Sequence, residues 1–245
     1  RRIKKIPGLI LLILLGVVLA LIAAFLLHRD YLAREYAAQI QQTRNLADAL
    51  ELQVFDRLRD TVAALAQAEP VRRAVRSESL PDPPPTLLVL ETIRATVAAD
   101  LVYVMNADGK VVASSHYGTG QSLTGQSYPF RPYFTEALRG QAFLYPAVGV
   151  TTLKRGLYAS APIHDPGQET PTGVLVVKGD LERVDRLLAR FQEPMALISP
   201  DGIVFAANRP DWLFRRAGPP LTVAEQERLR QSRQFADQPL ERLPN

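Results

Sequence analysis

The sequence of 245 residues contains no cysteine, 3 histidines, 2 methionines and 1 tryptophan. Missing thiols exclude disulfides, thiolate zinc sites, iron–sulfur clusters and a cysteine nucleophile. His28, His116 and His164 are too scattered for a compact ligand motif, and no metal is assigned to them. Catalytic signatures are lacking too. There is no G-x-S-x-G elbow, HExxH pair or Walker loop, and Gly118-Thr-Gly120 lacks the final glycine of a dinucleotide fingerprint. Surplus charge is scarce: Arg1, Arg2, Lys4 and Lys5 account for the whole formal net charge of +4. The rest of the chain offers no basic surface for nucleic acid, and no such partner is expected.

What is present begins with apolar length. Residues 7–27 carry no charge, and at 1.5 Å per residue they span about 30 Å, the thickness of a bilayer core. Four cations precede this run, and the nearly balanced set His28, Arg29, Asp30, Arg34 and Glu35 follows it. The positive-inside rule therefore places residues 1–6 in the cytoplasm, 7–27 in a transmembrane helix and the remainder outside. A cleaved signal peptide is the alternative, although its apolar core is usually shorter and a small-x-small site should follow. A first residue that is Arg rather than Met leads us to expect a segment of a longer chain.

Leu46, Leu50, Val54, Leu58, Val62 and Leu65 recur in steps of four and three, which predicts a long membrane-proximal helix over residues 28–69. Its stripe can pack on a sheet, pair with a second copy in a homodimer, or do both. Glu69-Pro70 should stop this helix, residues 77–85 with four prolines should form a loop, and Thr86 should cap a helix carrying Leu87, Leu90, Ile93 and Val97.

Strand signals start at Leu101, where Val102-Tyr103-Val104-Met105 meets a turn around Asp108-Gly109 and Val111-Val112-Ala113-Ser114 resumes the apolar run. The phrase YVMNADGKVVASS at 103–115 aligns with ALISPDGIVFAAN at 196–208, so one module is read twice. A helix at 133–139 closed by Gly140, then strands at 142–150, 156–162 and 173–177, complete an α+β first module with an antiparallel sheet. The second copy is incomplete, and Thr222 with Glu225 predicts a capped surface helix.

Three stretches are more specific than hydrophobic pattern: GQSYPFRPYFTEALRG at 125–140, YPAVGVTTLKRGLYASAPI at 145–163 and GVLVVKGDL at 173–181. Together they make the chain resemble the double Cache, or tandem PAS-like, extracytoplasmic sensors, and within them the C4-dicarboxylate sensor histidine kinases. The resemblance implies a membrane-distal ligand-binding Cache module at 70–190 and a partial membrane-proximal module at 191–245. It implies a bacterial inner-membrane protein with a periplasmic sensor region, a homodimer, and a cytoplasmic kinase acting on a response regulator. ATP and magnesium would belong only to that kinase; no cofactor is expected in this segment. Pro129 and Leu157 depart from the pattern and leave the exact ligand open.

A C4 dicarboxylate has an anion at each end. Arg131 offers a planar fork for one carboxylate, and Lys178, in an otherwise apolar strand, is the candidate for the other. The resemblance adds the hydroxyls of Tyr128, Thr151, Thr152, Tyr158 and Ser160, and strand alternation puts Tyr158 and Ser160 on one face. Plainer roles stand beside these. Arg131 could pair with Glu136 or Asp180, Lys178 could face outward, the two threonines could satisfy turn amides, and Tyr133 and Phe134 read as core. Asp180 could cap the helix after it. An amino-acid chemoreceptor or the input of a cyclic-dinucleotide enzyme would share the fold; an anchored hydrolase or a ligand-free adhesion module would not need the paired cations.

Overall fold

A computed structural model describes residues 6–76, 84–116, 118–179 and 181–243. The chain divides into two compact units, residues 1–54 and residues 55–245. In the first unit, helix α1 (Ile6–Leu50) contains a stretch of mean hydropathy 2.5, and among the described residues it belongs to the one helix long and apolar enough to cross a membrane. Its leucines, isoleucines and valines stay exposed, with Leu12 at 67% and Leu27 at 71%. Side chains of that kind are at ease in lipid and costly in water.

A π-helical turn (Glu51–Asp56) precedes α2 (Arg57–Ala66), α3 (Glu69–Arg76) and α4 (Pro84–Thr96). Two expectations about prolines are corrected here. Pro70 sits in the first turn of α3 rather than merely ending the helix before it, and Pro84 and Pro85 open α4 rather than extending the loop. Proline's missing N–H costs nothing in a first helical turn, where that donor has no partner anyway. Thr86 is accordingly not a cap but a buried residue inside α4, its hydroxyl donating to Pro70 O at 3.5 Å. Residues 77–83 of the expected loop lie outside the described residues.

The sheet that follows runs β1 (Leu101–Asn106), β2 (Val111–Ser114), β3 (Phe143–Val148), β4 (Arg155–Ile163) and β5 (Gly173–Gly179), in the spatial order β2-β1-β5-β4-β3 with every pairing antiparallel. Alternation along the strands feeds two cores. Val102, Val104, Ala159, Ala161, Leu175 and Val177 pack with residues of α2, α3 and α4. Leu101, Tyr103, Met105, Tyr158, Val174 and Val176 face the other way, against α5 (Pro132–Leu138). Both faces are covered, which is why β1 and β5 read as continuous apolar runs. β3 is an edge strand and carries Pro146 there, where a missing donor is tolerated.

After α6 (Glu182–Leu188) come β6 (Ala196–Ile198), β7 (Val204–Ala207) and α7 (Val223–Ser232). The repeat holds at the level of register. Tyr103↔Ser114, Val104↔Ala113 and Met105↔Val111 in β1–β2 correspond to Ala196↔Ala207, Leu197↔Ala206 and Ile198↔Val204 in β6–β7, with the same irregularity at the same place. Gly109 and Gly202 both take positive φ in the turn, +81° and +75°. The return strand matches as well: Val111 N–H donates to Gln126 O and Val204 N–H to Arg215 O, each at 2.8 Å. Among the described residues the second sheet has two strands, so the repeat covers the opening hairpin of the module and not its remaining three strands. The capping box of Thr222 and Glu225 is formed as expected on α7.

Candidate functional site

The site lies on the α5 side of the first sheet. Arg131 is extended at the N-terminus of α5 (φ −83°, ψ 129°), and Pro132 fixes the first turn, while Tyr133, Phe134 and Ala137 anchor the helix on the sheet. Odd and even positions of β5 alternate, so Lys178 shares its face with Val174 and Val176 and points inward. Gly156 on β4 makes room for it: a Cβ there would stand 2.6 Å from Lys178 Cε and 2.8 Å from its Cγ.

A cavity of about 20 Å³ is lined by Arg131, Lys178, Tyr128, Thr151, Thr152 and Tyr158, together with Leu101, Tyr103, Leu123, Tyr133, Gly149 and Val150. Ser160 does not line it. Its side chain is on the expected face, but its Oγ donates to Tyr133 O at 2.7 Å and so ties β4 to α5. Tyr133 reads as core in the sequence and is buried, yet it also borders the cavity.

Arg131 is 1% exposed. Nη1 donates to the carbonyls of Ser232 and Arg233 at 3.0 and 2.9 Å, and Nη2 to Val148 O at 2.9 Å. The guanidinium lies 5.5, 5.8 and 5.6 Å from the ring centroids of Tyr133, Tyr145 and Tyr158, a cation–π cage. Glu136 is not its partner, since that carboxylate binds Arg139, and Asp180 lies outside the described residues both as a partner and as a helix cap. Burial pushes the tyrosine hydroxyls up, Tyr145 to about 12, and Tyr103 and Tyr158 are likewise raised above the ordinary tyrosine value. They are therefore neutral donors at physiological pH.

Lys178, also 1% exposed, is not an outward strand lysine. Its Nζ donates to Asp100 Oδ2 at 2.6 Å and to Thr152 Oγ1 at 3.2 Å. Thr151 Oγ1 and Tyr128 Oη are 2.8 Å apart, so both threonines face the site as well as shaping the β3–β4 turn. Asp100 is absent from the sequence-based set. Its one legible signal is adjacency to β1, whose Leu101 pairs with Lys178. His116 is fixed by two contacts: its main-chain N–H donates to Glu91, and its ring Nε2 is 3.2 Å from Asp100 O. Burial pushes the Glu91 carboxyl up, but the His116 N–H and Arg94 outweigh this and hold it below the ordinary glutamate value.

Residues 45–190 match the family model for single cache domain 3. The chain belongs to that family. The match ends before β6, so it covers the first module only. The chain is 31% identical over 225 residues to the C4-dicarboxylate transport sensor protein DctB of Pseudomonas aeruginosa, and 31% identical over 240 residues to that of Rhizobium meliloti. These alignments take in 87% and 95% of this chain but 36% and 38% of the relatives, so the chain spans little more than a third of their length. The crystal structure of the Vibrio cholerae histidine kinase DctB sensor domain superposes with a TM-score of 0.70 at 25% identity, covering 85% of this chain and 81% of that one. The ligand-binding domain of the Pseudomonas fluorescens chemoreceptor CtaA, at 19% identity and TM-score 0.50, shares the fold. The α+β, Cache-type architecture thus agrees between sequence, structure and relatives.

Proposed function

We propose that residues 28–245 form the periplasmic sensor part of a histidine kinase anchored in the bacterial inner membrane, and that the first module binds a C4 dicarboxylate such as succinate, malate or fumarate. The observation that carries this reading is one cavity bordered by two buried cations, Arg131 and Lys178, and by the hydroxyls of Tyr128, Thr151, Thr152 and Tyr158. A dianion satisfies both cations at once, and the neutral hydroxyls supply the remaining donors. The cavity is smaller than such a ligand, so binding requires the site to open; the turn beside it is exposed at Thr151, Leu153 and Lys154. The DctB relatives support the ligand class and the output. A cytoplasmic kinase of the longer protein would use ATP and magnesium to phosphorylate a response regulator, with two copies acting as a homodimer.

An amino acid is the competing ligand. Its ammonium needs a free carboxylate; no Asp or Glu is among the described residues lining this cavity, and Asp100, which reaches it through Lys178, is already paired with that lysine. The deciding measurement is thermal unfolding of the detergent-solubilised chain against C4 dicarboxylates, monocarboxylates and amino acids. Ligand at a hundredfold excess over Kd adds about 2.7 kcal/mol, a shift of roughly 5 to 10 °C for a chain of this size. A shift with dicarboxylates alone is the expected result; a shift with amino acids instead, or with none of the panel, overturns the ligand assignment.

A further inference from the structure

Lys178 and Asp100 form an asymmetric pair. The lysine side chain is 1% exposed and the aspartate 35%. The lysine is also fixed from three sides. Its strand pairs with β1 and β4, Gly156 packs against its stem, and Thr152 accepts its second hydrogen bond. Asp100 is held at its main chain, where its N–H donates to Lys178 O at 2.8 Å, and its carboxylate reaches the ammonium from the solvent edge. Of the two partners, the carboxylate is the one that can rotate into water.

Charge argues the same way. Arg131, Lys178 and Asp100 together carry one net positive charge, which cannot balance a dianion; without the Asp100 carboxylate at the ammonium, the two cations can. Burying a third carboxylate beside two from a ligand sets like charges within a few ångströms in a medium that screens them poorly.

We infer that Asp100 is a built-in competitor for the ligand's second carboxylate: it pairs with the Lys178 ammonium in the closed site, and a dicarboxylate anchored at Arg131 displaces it. The inference rests on the dicarboxylate reading and adds to it the residue that sets the affinity threshold. The first carboxylate brings the second to Lys178 at high effective concentration, which lets the ligand win against a side chain already in place. Asp100 thus weakens dicarboxylate binding while stabilising the unliganded site, an effect opposite to that of a residue that touches the ligand.

The test compares wild type with Asp100→Asn in the full chain, by titration calorimetry with succinate and by thermal unfolding with and without it. The expected result is succinate binding about tenfold tighter in the variant, the scale of one charge-assisted hydrogen bond no longer broken on binding. Unliganded Asp100→Asn should also melt at a lower temperature than wild type. Asp100→Ser, which keeps a small polar group beside the ammonium, should show the same tightening and serves if the first variant does not fold. Substituting a purely structural Asp100 would lower both stability and affinity, so equal or weaker succinate binding by a folded variant overturns the inference alone. Wild type that binds none of succinate, malate and fumarate overturns the dicarboxylate reading and the inference with it.

Discussion

Arg131 has a structural duty beside the ligand contact proposed for it, and its position in the sequence does not separate the two. Its three donated hydrogen bonds satisfy buried carbonyls of Val148, Ser232 and Arg233. Leaving those acceptors bare costs about 1 kcal/mol or more apiece. Arg131→Ala should therefore lower unfolding stability by at least about 3 kcal/mol, measured by urea denaturation, and lost binding in that variant would report lost structure. Lys178→Met is the cleaner probe of the site. The Asp100 it leaves behind is partly solvated, so stability should change by about 1 kcal/mol or less, whereas succinate affinity should fall by about a hundredfold or more. Unchanged affinity would place the ligand elsewhere. Lys178 was legible as a cation in an otherwise apolar strand, and Arg131 as a planar cation within the 125–140 stretch that carries the family resemblance. Asp100 was not: a single acid ahead of a strand carries no pattern, and its meaning comes from β1–β5 pairing between residues far apart in the chain.

The site depends on two strands held at a spacing that only a small residue permits. Gly156 lies where β4 crosses the stem of Lys178, and a methyl group there would press on Cγ as well as Cε. Gly156→Ala should displace the ammonium from Thr152 and Asp100, weakening succinate binding by about tenfold or more at a stability cost of about 1–3 kcal/mol. Calorimetry and urea denaturation of one variant read both effects, and full-strength binding would show that Lys178 does not need this register. The strands themselves were legible from apolar runs and turn residues, and each extends within three residues of its expected ends. Helix boundaries were less so. Pro70, Pro84 and Pro85 read as breakers, yet proline in a first turn is a starter, and the choice depends on whether α3 and α4 find the apolar face of β1 to cover. Ser160 shows the same limit on one strand: alternation gave its face correctly, but whether a hydroxyl meets a ligand or a helix carbonyl is decided by how closely α5 packs.

At the scale of the whole chain, the sequence repeat turns out to be structural, down to register and turn. The two copies are joined through the site itself. Arg131 holds the C-terminal end of α7, Gln234 exchanges hydrogen bonds with the free edge of β3, and Arg155 bridges to Asp185 and to Phe205 O on β7. A ligand that draws on Arg131 competes with the carbonyls of Ser232 and Arg233, so it changes a contact between modules as well as filling a cavity. If the protein signals as a dimer through its long helix, that change should be readable far from the cavity. The absence of any native cysteine gives a clean background for single cysteines introduced one at a time over residues 38–55 of the membrane-embedded chain. Disulfide formation between copies should peak at positions three and four apart, the mark of one helical face, and succinate should move or reweight those peaks. Cross-links at no position would exclude pairing of copies along this segment. A helical pattern that succinate leaves unchanged would keep the dimer and exclude helix displacement as its signal.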